Sequence, residues 1–414
     1  MKKLLLSLLV PIAIGISSLA FSQGTWTPRD TLPYDTAAME QGLLGFSIGN
    51  YGYAGLGSNS VSNLTAFWRF DPSTNSWSQK AFFPGKARIS PADFVIGDKA
   101  YIVCGSVKNF GACVNECWEY DATTDSWTQK ANFPGTARVY AVGFAIDSLG
   151  YVGTGANELM DFRKDFYAYH PSTNTWIRIA DLPAIARDAD GGFVVNGKGY
   201  ICGGQDSLYK AVNDLWEYDP VTNIWTQKAN YPHPLMGTNG FAICNNIYVY
   251  GDSTDGFDFY REFWKYNTIS DTWTQEGNMP GKLRYLSMAF SIADSGYSGF
   301  GVDTLGQFPN ALYKYYGGDS CQITTNNTKT YNSNQMISVY PNPFTNKCII
   351  SFSSTENPTA EFLLFDLAGK AKQIKLEKSE NQYILYSKGL QDGMYILQIK
   401  INDISFFKKL IITN

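Results

Sequence analysis

Histidine is nearly missing from this sequence, which has two in 414 residues. Zinc and copper sites and neutral-pH proton transfer commonly use histidine. His170 lies in the turn of "YHPSTNTW", and His233 lies in "YPHPLM" without an apparent nucleophile beside it. We therefore expect no metal, no cofactor and no catalytic residue, and we predict that the protein is not an enzyme.

The sequence also lacks a strong excess of one charge. It has 33 basic and 37 acidic residues, for a net charge of −4, and the basic residues form no stripe. Nucleic-acid binding requires such a basic surface, so we expect no nucleic-acid partner.

Long apolar runs are confined to the N-terminus, "MKKLLLSLLVPIAIGISSLAFSQ". Two lysines, an apolar run and the small residues Ala20 and Ser22 predict a signal peptide over 1–22, cleaved before Gln23. The alternative is a membrane anchor, but Pro11 and Gly15 interrupt a run that is already short for a span. We expect an exported protein that does not span the membrane.

Cysteine is present in an odd number, seven. Export permits disulfides but leaves one thiol over. Cys113 and Cys117 share a loop and are the best local candidates for a bond, whereas Cys104, Cys202 and Cys244 fall in strand patterns and are expected to be small buried residues.

Aromatic residues and glycine are abundant, with ten Trp, 27 Tyr, 26 Phe and 38 Gly, and they recur with a period near 50. This period is typical of a four-stranded unit. In each unit a Phe is followed seven residues later by a Tyr across a short turn, and a second aromatic precedes the repeat tryptophan by seven residues. The repeat tryptophans are Trp26, Trp77, Trp127, Trp176, Trp225 and Trp273.

We therefore predict that each unit forms two antiparallel hairpins, as in "FVIGDKAY" and "LWEYDPVTNIW". The sixth unit ends at Tyr315 without a fourth strand, while "TWTPRDTLP" at 25–33 is a fourth strand without a unit. An unpaired edge is unfavourable, so we expect the N-terminal strand to complete the sixth unit.

The 50-residue units, the glycine after the second strand and the Tyr and Trp of the second hairpin resemble the kelch repeat. The resemblance covers about 24–317, and the full diglycine occurs only at Gly203 and Gly204. It implies an all-β fold, a six-bladed β-propeller over 23–317. A two-sheet sandwich is the alternative, but it would not repeat so regularly.

Long loops between the second and third strands, such as "ANELMDFRKD" and "QDSLYKAVND", are the expected binding surface. Arg88, Arg138, Arg187 and Arg284 each follow the repeat proline by four residues, and Ala37 and Met236 break the series. Around a central axis these arginines would form a partial ring suited to an acidic ligand. The alternative is structural, with each arginine pairing with a neighbouring blade or a backbone carbonyl.

Two further ligand interpretations concern the loop "DSTDGFDFY". Asp252, Asp255 and Asp258 could supply oxygen ligands to calcium, but their spacing is not that of an EF-hand, and a solvated loop is the simpler interpretation. Phe257, Phe259 and Tyr260 could stack on a sugar or pack against the next loop.

The phrases "VYPNPF", "FDLAGK", "LQDGMYILQIK" and "KKLIIT" follow a polar linker over 318–336. In this order and at the chain terminus, they resemble the type A C-terminal sorting domain of the Bacteroidetes type IX secretion system. The resemblance covers 337–414 and implies a small β-sandwich that the type IX machinery recognises. The alternative, a carbohydrate-binding or immunoglobulin-like module, explains the strands but not the motifs.

Together these observations predict a secreted or surface-displayed binding or adhesion protein, whose propeller recognises a glycan or a protein. The alternative is a secreted sugar-modifying enzyme similar to the kelch-class sialic acid epimerases, where an arginine-rich centre would hold the substrate carboxylate. The sequence identifies no general base for that reaction.

Overall fold

A computed structural model describes most of the chain, which divides into two compact units, Met1–Cys321 and Gln322–Asn414. The described residues are 24–33, 42–58, 62–107, 111–188, 191–252, 261–281, 284–303, 305, 307, 309–318, 337–340, 342–352, 360–366, 371–379, 382–401 and 404–413. The predicted signal peptide and residues 319–336 of the predicted linker lie outside them. The four domain boundaries therefore remain predictions.

Regular structure in the described part of the first unit consists of strands. In chain order they are β1 (Thr25–Arg29), β2 (Leu44–Ile48), β3 (Tyr51–Gly55), β4 (Phe67–Asp71), β5 (Ser76–Gln79), β6 (Ala92–Ile96), β7 (Lys99–Val103), β8 (Cys117–Asp121), β9 (Ser126–Lys130), β10 (Val142–Ile146), β11 (Leu149–Gly153), β12 (Phe166–His170), β13 (Thr175–Arg178), β14 (Gly191–Val195), β15 (Lys198–Cys202), β16 (Leu215–Asp219), β17 (Ile224–Lys228), β18 (Met236–Ile243), β19 (Asn246–Asp252), β20 (Glu262–Asn267), β21 (Thr272–Asn278), β22 (Arg284–Tyr285), β23 (Met288–Ile292), β24 (Ser295–Gly299), β25 (Val302–Asp303) and β26 (Leu312–Tyr316).

These strands form six antiparallel four-stranded blades, which confirms the predicted six-bladed propeller. Blades one to five are β2–β5, β6–β9, β10–β13, β14–β17 and β18–β21, and blade six is β23, β24, β26 and β1. The predicted register also holds, because Phe46 pairs with Tyr53 in the first hairpin and Phe70 with Trp77 in the second.

The N-terminal strand closes the ring as expected. Strand β1 pairs antiparallel with β26, and Trp26 lies opposite Tyr315 just as Trp225 lies opposite Tyr218 in blade four. The Trp26 ring contacts Phe263 and Tyr315 at centroid distances of 5.1 and 5.0 Å. Trp26 thus occupies the position of a repeat tryptophan in its blade.

A repeated pair of hydrogen bonds, which we call the latch, joins neighbouring blades at five of the blade junctions. In the third blade, the Trp176 indole donates to the Ala131 carbonyl at 2.9 Å, and the Ala131 amide donates to the Asn174 side chain at 2.8 Å. The closing junction has the same latch, since Trp77 donates to the Asp30 carbonyl at 3.1 Å and the Asp30 amide donates to Asn75 at 3.2 Å. The chain terminus is therefore held like any internal blade.

The cysteines correct two expectations. Cys113 and Cys117 are free, because Cys117 begins β8 with its side chain buried in the core beside Cys104 while Cys113 lies half-buried in the loop. Cys104 and Cys202 are buried, as expected, and neither forms a disulfide. The expectation for Cys244 was wrong, because this residue is only half-buried and is disulfide-bonded.

The second unit has eight described strands in two four-stranded sheets, where about seven were expected. They are β27 (Ile337–Tyr340), β28 (Lys347–Phe352), β29 (Ala360–Asp366), β30 (Ala371–Lys372), β31 (Lys375–Ser379), β32 (Gln382–Tyr386), β33 (Gly393–Ile401) and β34 (Ile404–Ile412). The sheets β27-β28-β32-β31 and β30-β29-β33-β34 share one apolar core that includes Ile350, Leu385 and Leu397.

Candidate functional site

The two faces of the propeller carry different kinds of loop. Strand directions alternate within each blade, so the loops from the second to the third strand lie on the same face as the connections between blades, which we call the loop face. The short hairpin turns lie on the opposite face, which we call the hairpin face. Binding sites usually occupy the longer loops of a rigid scaffold.

Three of the four predicted arginines lie on the loop side of the blades, but they are fully buried. Arg88, Arg138 and Arg187 are each 0% exposed. The Arg138 guanidinium donates to both carboxylate oxygens of Asp165, at 2.8 and 3.0 Å, and to the backbone carbonyls of Thr136 and Thr154, at 2.9 and 2.8 Å. Its hydrogen-bonding capacity is thus largely used inside the protein.

The other two buried arginines follow the same scheme. Arg88 pairs with Glu116 and the Cys104 carbonyl, and Arg187 pairs with Asp214 and the Gly203 carbonyl. Although burial raises the pKa of Asp214, its hydrogen bonds with Arg187 hold that pKa below the usual range.

Each arginine also joins neighbouring blades through its backbone. The Arg138 carbonyl accepts a hydrogen bond from the Gly105 amide of blade two, and the Arg187 carbonyl accepts one from Gly155 of blade three. Gly155 has φ +85°, and a Cβ there would lie 2.7 Å from the Val139 carbonyl oxygen. The repeat glycine and the repeat arginine therefore form one junction that holds the base of a long loop.

This geometry favours the structural alternative for Arg88, Arg138 and Arg187 over contact with an acidic ligand. Arg284 lies in β22, which pairs with β25, and its side chain falls outside the described residues. The side chains of the calcium interpretation, Asp252, Asp255 and Asp258, and those of the sugar-stacking interpretation, Phe257, Phe259 and Tyr260, also fall outside them, so both interpretations remain predictions.

Three long loops of the loop face contain the same turn, in which one side-chain oxygen accepts hydrogen bonds from two backbone amides. This turn was not recognised from the sequence. In blade four the Asp206 carboxylate accepts hydrogen bonds from the Leu208 and Lys210 amides at 2.8 and 3.0 Å. Asn157 in blade three and Asp303 in blade six make the equivalent pairs of bonds. The signal in the sequence is the recurring pattern "NEL", "DSL" and "DTL" at the same place in the repeat.

Each turn exposes a leucine at its apex. Leu159, Leu208 and Leu305 are 77%, 81% and 70% exposed, although the residues that close the turns beneath them are buried. Tyr209, beside Leu208, contacts Phe162 of the preceding blade edge-on at 6.2 Å. The loop face thus presents apolar side chains on turns that are held in place.

A central cavity of about 240 Å³ lies on the axis of the propeller. Its lining comes from all six blades, and it involves only the start of each innermost strand and the chain just before it. The cavity therefore lies in the half of the channel that is nearer to the loop face.

One layer of this lining is nearly without side chains. The residue before the first-strand phenylalanine is Gly45, Asp93, Gly143, Gly192, Gly240 and Ala289 in blades one to six. Glycine is required by close approach, since a Cβ on Gly143 would lie 2.3 Å from the Asp93 carbonyl oxygen and one on Gly240 would lie 2.0 Å from that of Tyr248. Asp93 is the one member of this ring with a polar side chain.

The Asp93 carboxyl is isolated. Burial raises its pKa to about 7, and no described residue hydrogen-bonds to this carboxyl or forms an ion pair with it. Comparison of "ADF" with "LGF", "VGF", "GGF", "NGF" and "MAF" at the aligned positions could have identified this residue from the sequence.

Comparisons with known families agree with both units. The family described as the KLHDC2/KLHL20/DRC7 Kelch-repeats domain matches residues 92–293, and the family described as the Secretion system C-terminal sorting domain matches residues 338–413. The chain therefore combines a kelch-repeat β-propeller with a type IX secretion sorting domain of the Bacteroidetes kind. It is a secreted protein that is displayed on the cell surface or released.

Among solved structures, the chain is similar to that entitled "Structure of YjhT", with a TM-score of 0.58 and 16% identity. The alignment covers 67% of this chain and 94% of the other, and at this identity the likeness shows the propeller fold alone. No curated protein matches the sequence. Within the described ranges, no helix is long and apolar enough to cross a membrane.

Proposed function

We propose that this protein is a secreted, non-catalytic binding protein whose loop face engages a protein partner. The observation that carries this proposal is the set of three exposed leucines, Leu159, Leu208 and Leu305, on equivalent turns. Scattered surface leucines are ordinary, but three at the same place in the repeat, in blades three, four and six, expose apolar groups on one face and suit contact with a partner.

The rigidity of these turns supports binding. Asp206 is 7% exposed and Asp303 is 1% exposed, and their carboxylates fix two amides each beneath the leucine. Loops that are already ordered lose less conformational entropy when a partner docks. Leucine side chains favour an apolar protein surface over a glycan, whose recognition relies mainly on stacked aromatics and polar groups.

The leucines are tested by replacing Leu159, Leu208 and Leu305 together with serine in the full mature chain. We expect at least tenfold weaker capture of partner proteins from the surface and released fractions of the producing cells, because the apolar contact is lost. The measurement is quantitative mass spectrometry of proteins cross-linked to the immobilised chain, compared between the variant and the wild type.

The matched control carries Val221, Ile224 and Ile269 replaced with serine, since these residues are 78%, 57% and 74% exposed on the hairpin face. We expect this control to capture partners like the wild type, and both variants to unfold at the wild-type temperature. Equal capture by all three proteins would overturn the proposal. Binding of the wild type on a glycan array without any captured protein would instead favour a glycan ligand.

The alternative of an enzyme acting on an acidic sugar gains no support from the arginines. The guanidinium groups of Arg88, Arg138 and Arg187 are buried and hydrogen-bonded to carboxylates and carbonyls. The described lining of the central cavity contains no arginine, lysine or histidine, so a substrate carboxylate would face Asp93 without a counter-ion.

The sorting domain supports a separate prediction about export. Removing residues 337–414 should leave the protein in the periplasm, because the type IX machinery then lacks its recognition domain. Immunoblots of periplasmic, surface and medium fractions measure this. A periplasmic reporter fused to residues 319–414 is the complementary control and should leave the periplasm, whereas normal surface delivery of the truncated chain would contradict the prediction.

A further inference from the structure

We propose that the central cavity binds a small hydroxylated ammonium compound, an amino alcohol or an amino sugar, with the Asp93 carboxylate as its counter-ion. The inference is independent of the protein-binding surface on the long loops. It begins from the cavity, whose volume of about 240 Å³ equals roughly eight water molecules at the volume they occupy in the liquid.

The charge of the cavity lining favours a cationic ligand. Asp93 supplies the one acidic side chain of the described lining, and that lining offers no basic side chain to neutralise it. The Asp93 side chain is partly exposed to the cavity, and a partly buried carboxylate without an ion pair is stabilised by a cationic partner. A ligand with one positive charge supplies the missing partner, while a divalent metal ion would require more oxygen ligands than one carboxylate provides.

The opposite wall offers neutral polar residues. Blade five lies across the ring from blade two, and its Thr238 and Asn239 both line the cavity, although the Thr238 hydroxyl itself is buried against Gly203. Beside it, the Asn239 amide donates to the Ser287 carbonyl at 2.5 Å and to the Ser287 hydroxyl at 3.1 Å. A ligand held by its ammonium at Asp93 would therefore meet neutral polar groups at its other end.

The size of the cavity limits the ligand. The volume is below the roughly 300–1,000 Å³ that is usual for pockets that bind drug-sized molecules. Close approach of two inner strands at Gly143, whose Cβ would lie 2.3 Å from the Asp93 carbonyl oxygen, keeps the walls near the axis. A single sugar ring or a short amino alcohol fits this space, and a longer oligosaccharide does not.

Ligand affinity at this site should depend on pH, because burial raises the pKa of Asp93 to about 7. Strand β6 packs against β2, β7, β10 and β11, whose titratable groups are Lys99, Tyr101 and Tyr151. Lys99 and Tyr101 both bond to Glu119, and burial raises the pKa of Tyr151 to about 12. Tyr140, a phenol, is the remaining titratable side chain of the lining.

The test is calorimetric titration of the full mature chain with D-glucosamine and ethanolamine, with D-glucose and ethylene glycol as neutral counterparts of similar size. We expect both amines to bind and both neutral compounds to bind at least tenfold more weakly. Because the carboxyl must be ionised, the affinity for ethanolamine, whose ammonium stays protonated over this range, should rise roughly tenfold from pH 6 to pH 8, with proton release at pH 6.

Asp93→Asn keeps the shape of the side chain and removes its charge, so we expect it to weaken amine binding at least tenfold. Asp98→Asn, on the exposed hairpin that follows the same strand, is the matched control and should bind like the wild type. Unchanged amine binding by Asp93→Asn, equal binding of glucose and glucosamine, or no amine binding at millimolar concentration would each overturn the proposal.

A second readout shows whether Asp93→Asn has folded normally. The pKa of Asp93 is higher in the folded chain, at about 7, than its ordinary value of 3.8, so its contribution to stability is present below pH 4 and is lost as pH rises through 7. The wild type should therefore lose thermal stability between pH 5 and pH 8 more steeply than Asp93→Asn. Identical pH profiles would show that the carboxyl is not isolated in the cavity and would contradict the proposal.

Discussion

A mature chain that begins after residue 33 should fail to form a stable propeller. Deleting residues 24–33 removes strand β1, leaves β26 with an unpaired edge and breaks the latch that joins Asp30 to Asn75 and Trp77. Unlike an internal blade edge, this edge has no covalent neighbour that could replace it. We expect no cooperative thermal transition of the propeller by circular dichroism or calorimetry.

Single substitutions in β1 measure how much each side chain of this strand contributes to closing the ring. Trp26→Ala removes the ring that contacts Phe263 and Tyr315, and we expect it to cost about 3 kcal/mol because the tryptophan is partly buried. Leu32→Ala should cost about 2–4 kcal/mol, since Leu32 is 3% exposed in the core between the last and first blades. Thr27→Ala, on the exposed side of the strand, should cost less than about 0.5 kcal/mol.

Supplying the missing strand in trans provides the sharpest check. A synthetic peptide of residues 24–33 should restore the cooperative transition of the truncated chain in a concentration-dependent way. A peptide with alanine at Trp26 should restore it less well. A truncated chain that unfolds at the wild-type temperature without any peptide would show that β1 does not close the ring.

Replacing Arg138 with methionine should cost about 3–5 kcal/mol of folding free energy. The substitution leaves the Asp165 carboxylate half-buried without the two hydrogen bonds it accepts at 2.8 and 3.0 Å. It also leaves the Thr154 carbonyl without its donor at the base of the loop. Urea denaturation of the full mature chain measures the effect.

Two further variants show whether the loss of stability in Arg138→Met comes from the unpaired charge of Asp165. Arg138→Met combined with Asp165→Leu removes both charges and should recover most of the lost stability. Arg178→Met breaks an exposed pair with Asp181, also bidentate at 3.0 Å, and should leave stability nearly unchanged because water already solvates both groups. Equal losses for Arg138→Met and Arg178→Met would contradict the structural role of the buried arginine.

The Arg138–Asp165 pair contributes to folding stability with a pH dependence opposite in sign to that of Asp93. Burial raises the pKa of Asp165, but hydrogen bonds from Arg138 outweigh it and hold that pKa below its ordinary value of 3.8. The pair therefore contributes its full stability above pH 4 and loses it as pH falls below that value. Arg138→Met should accordingly flatten the acid limb of the stability profile.

The repeat was predictable from the sequence because its signals are local. Phe46 and Tyr53 are seven residues apart and form one hairpin, so their pairing follows from strand alternation and a short turn. The closing strand was predictable by the same counting, since Tyr315 needed a partner with the spacing of Tyr218 and Trp225. The motifs of the sorting domain were equally legible because their order and terminal position are properties of the chain itself.

The sites were less predictable because they depend on what distant segments bring together. The arginine series was visible, but its carboxylate partners lie 27 or 28 residues further along, in loops whose path no local pattern indicates. The free state of Cys113 and Cys117 depends on the inward direction of Cys117 in β8. The turns that expose Leu159 and Leu208 required the hydrogen bonds of Asn157 and Asp206 to be seen.

By itself the sequence determined six blades, their register, the strand that closes them and the address that exports them, because each follows from short-range periodicity or from order along the chain. The tertiary structure alone decided that Arg88, Arg138 and Arg187 are buried and paired within their blades, and that the Asp93 carboxyl in the central cavity has no ion pair among the described residues. The physical reason is distance along the chain, because each arginine meets a carboxylate 27 or 28 residues away and the cavity exists only where all six inner strands meet.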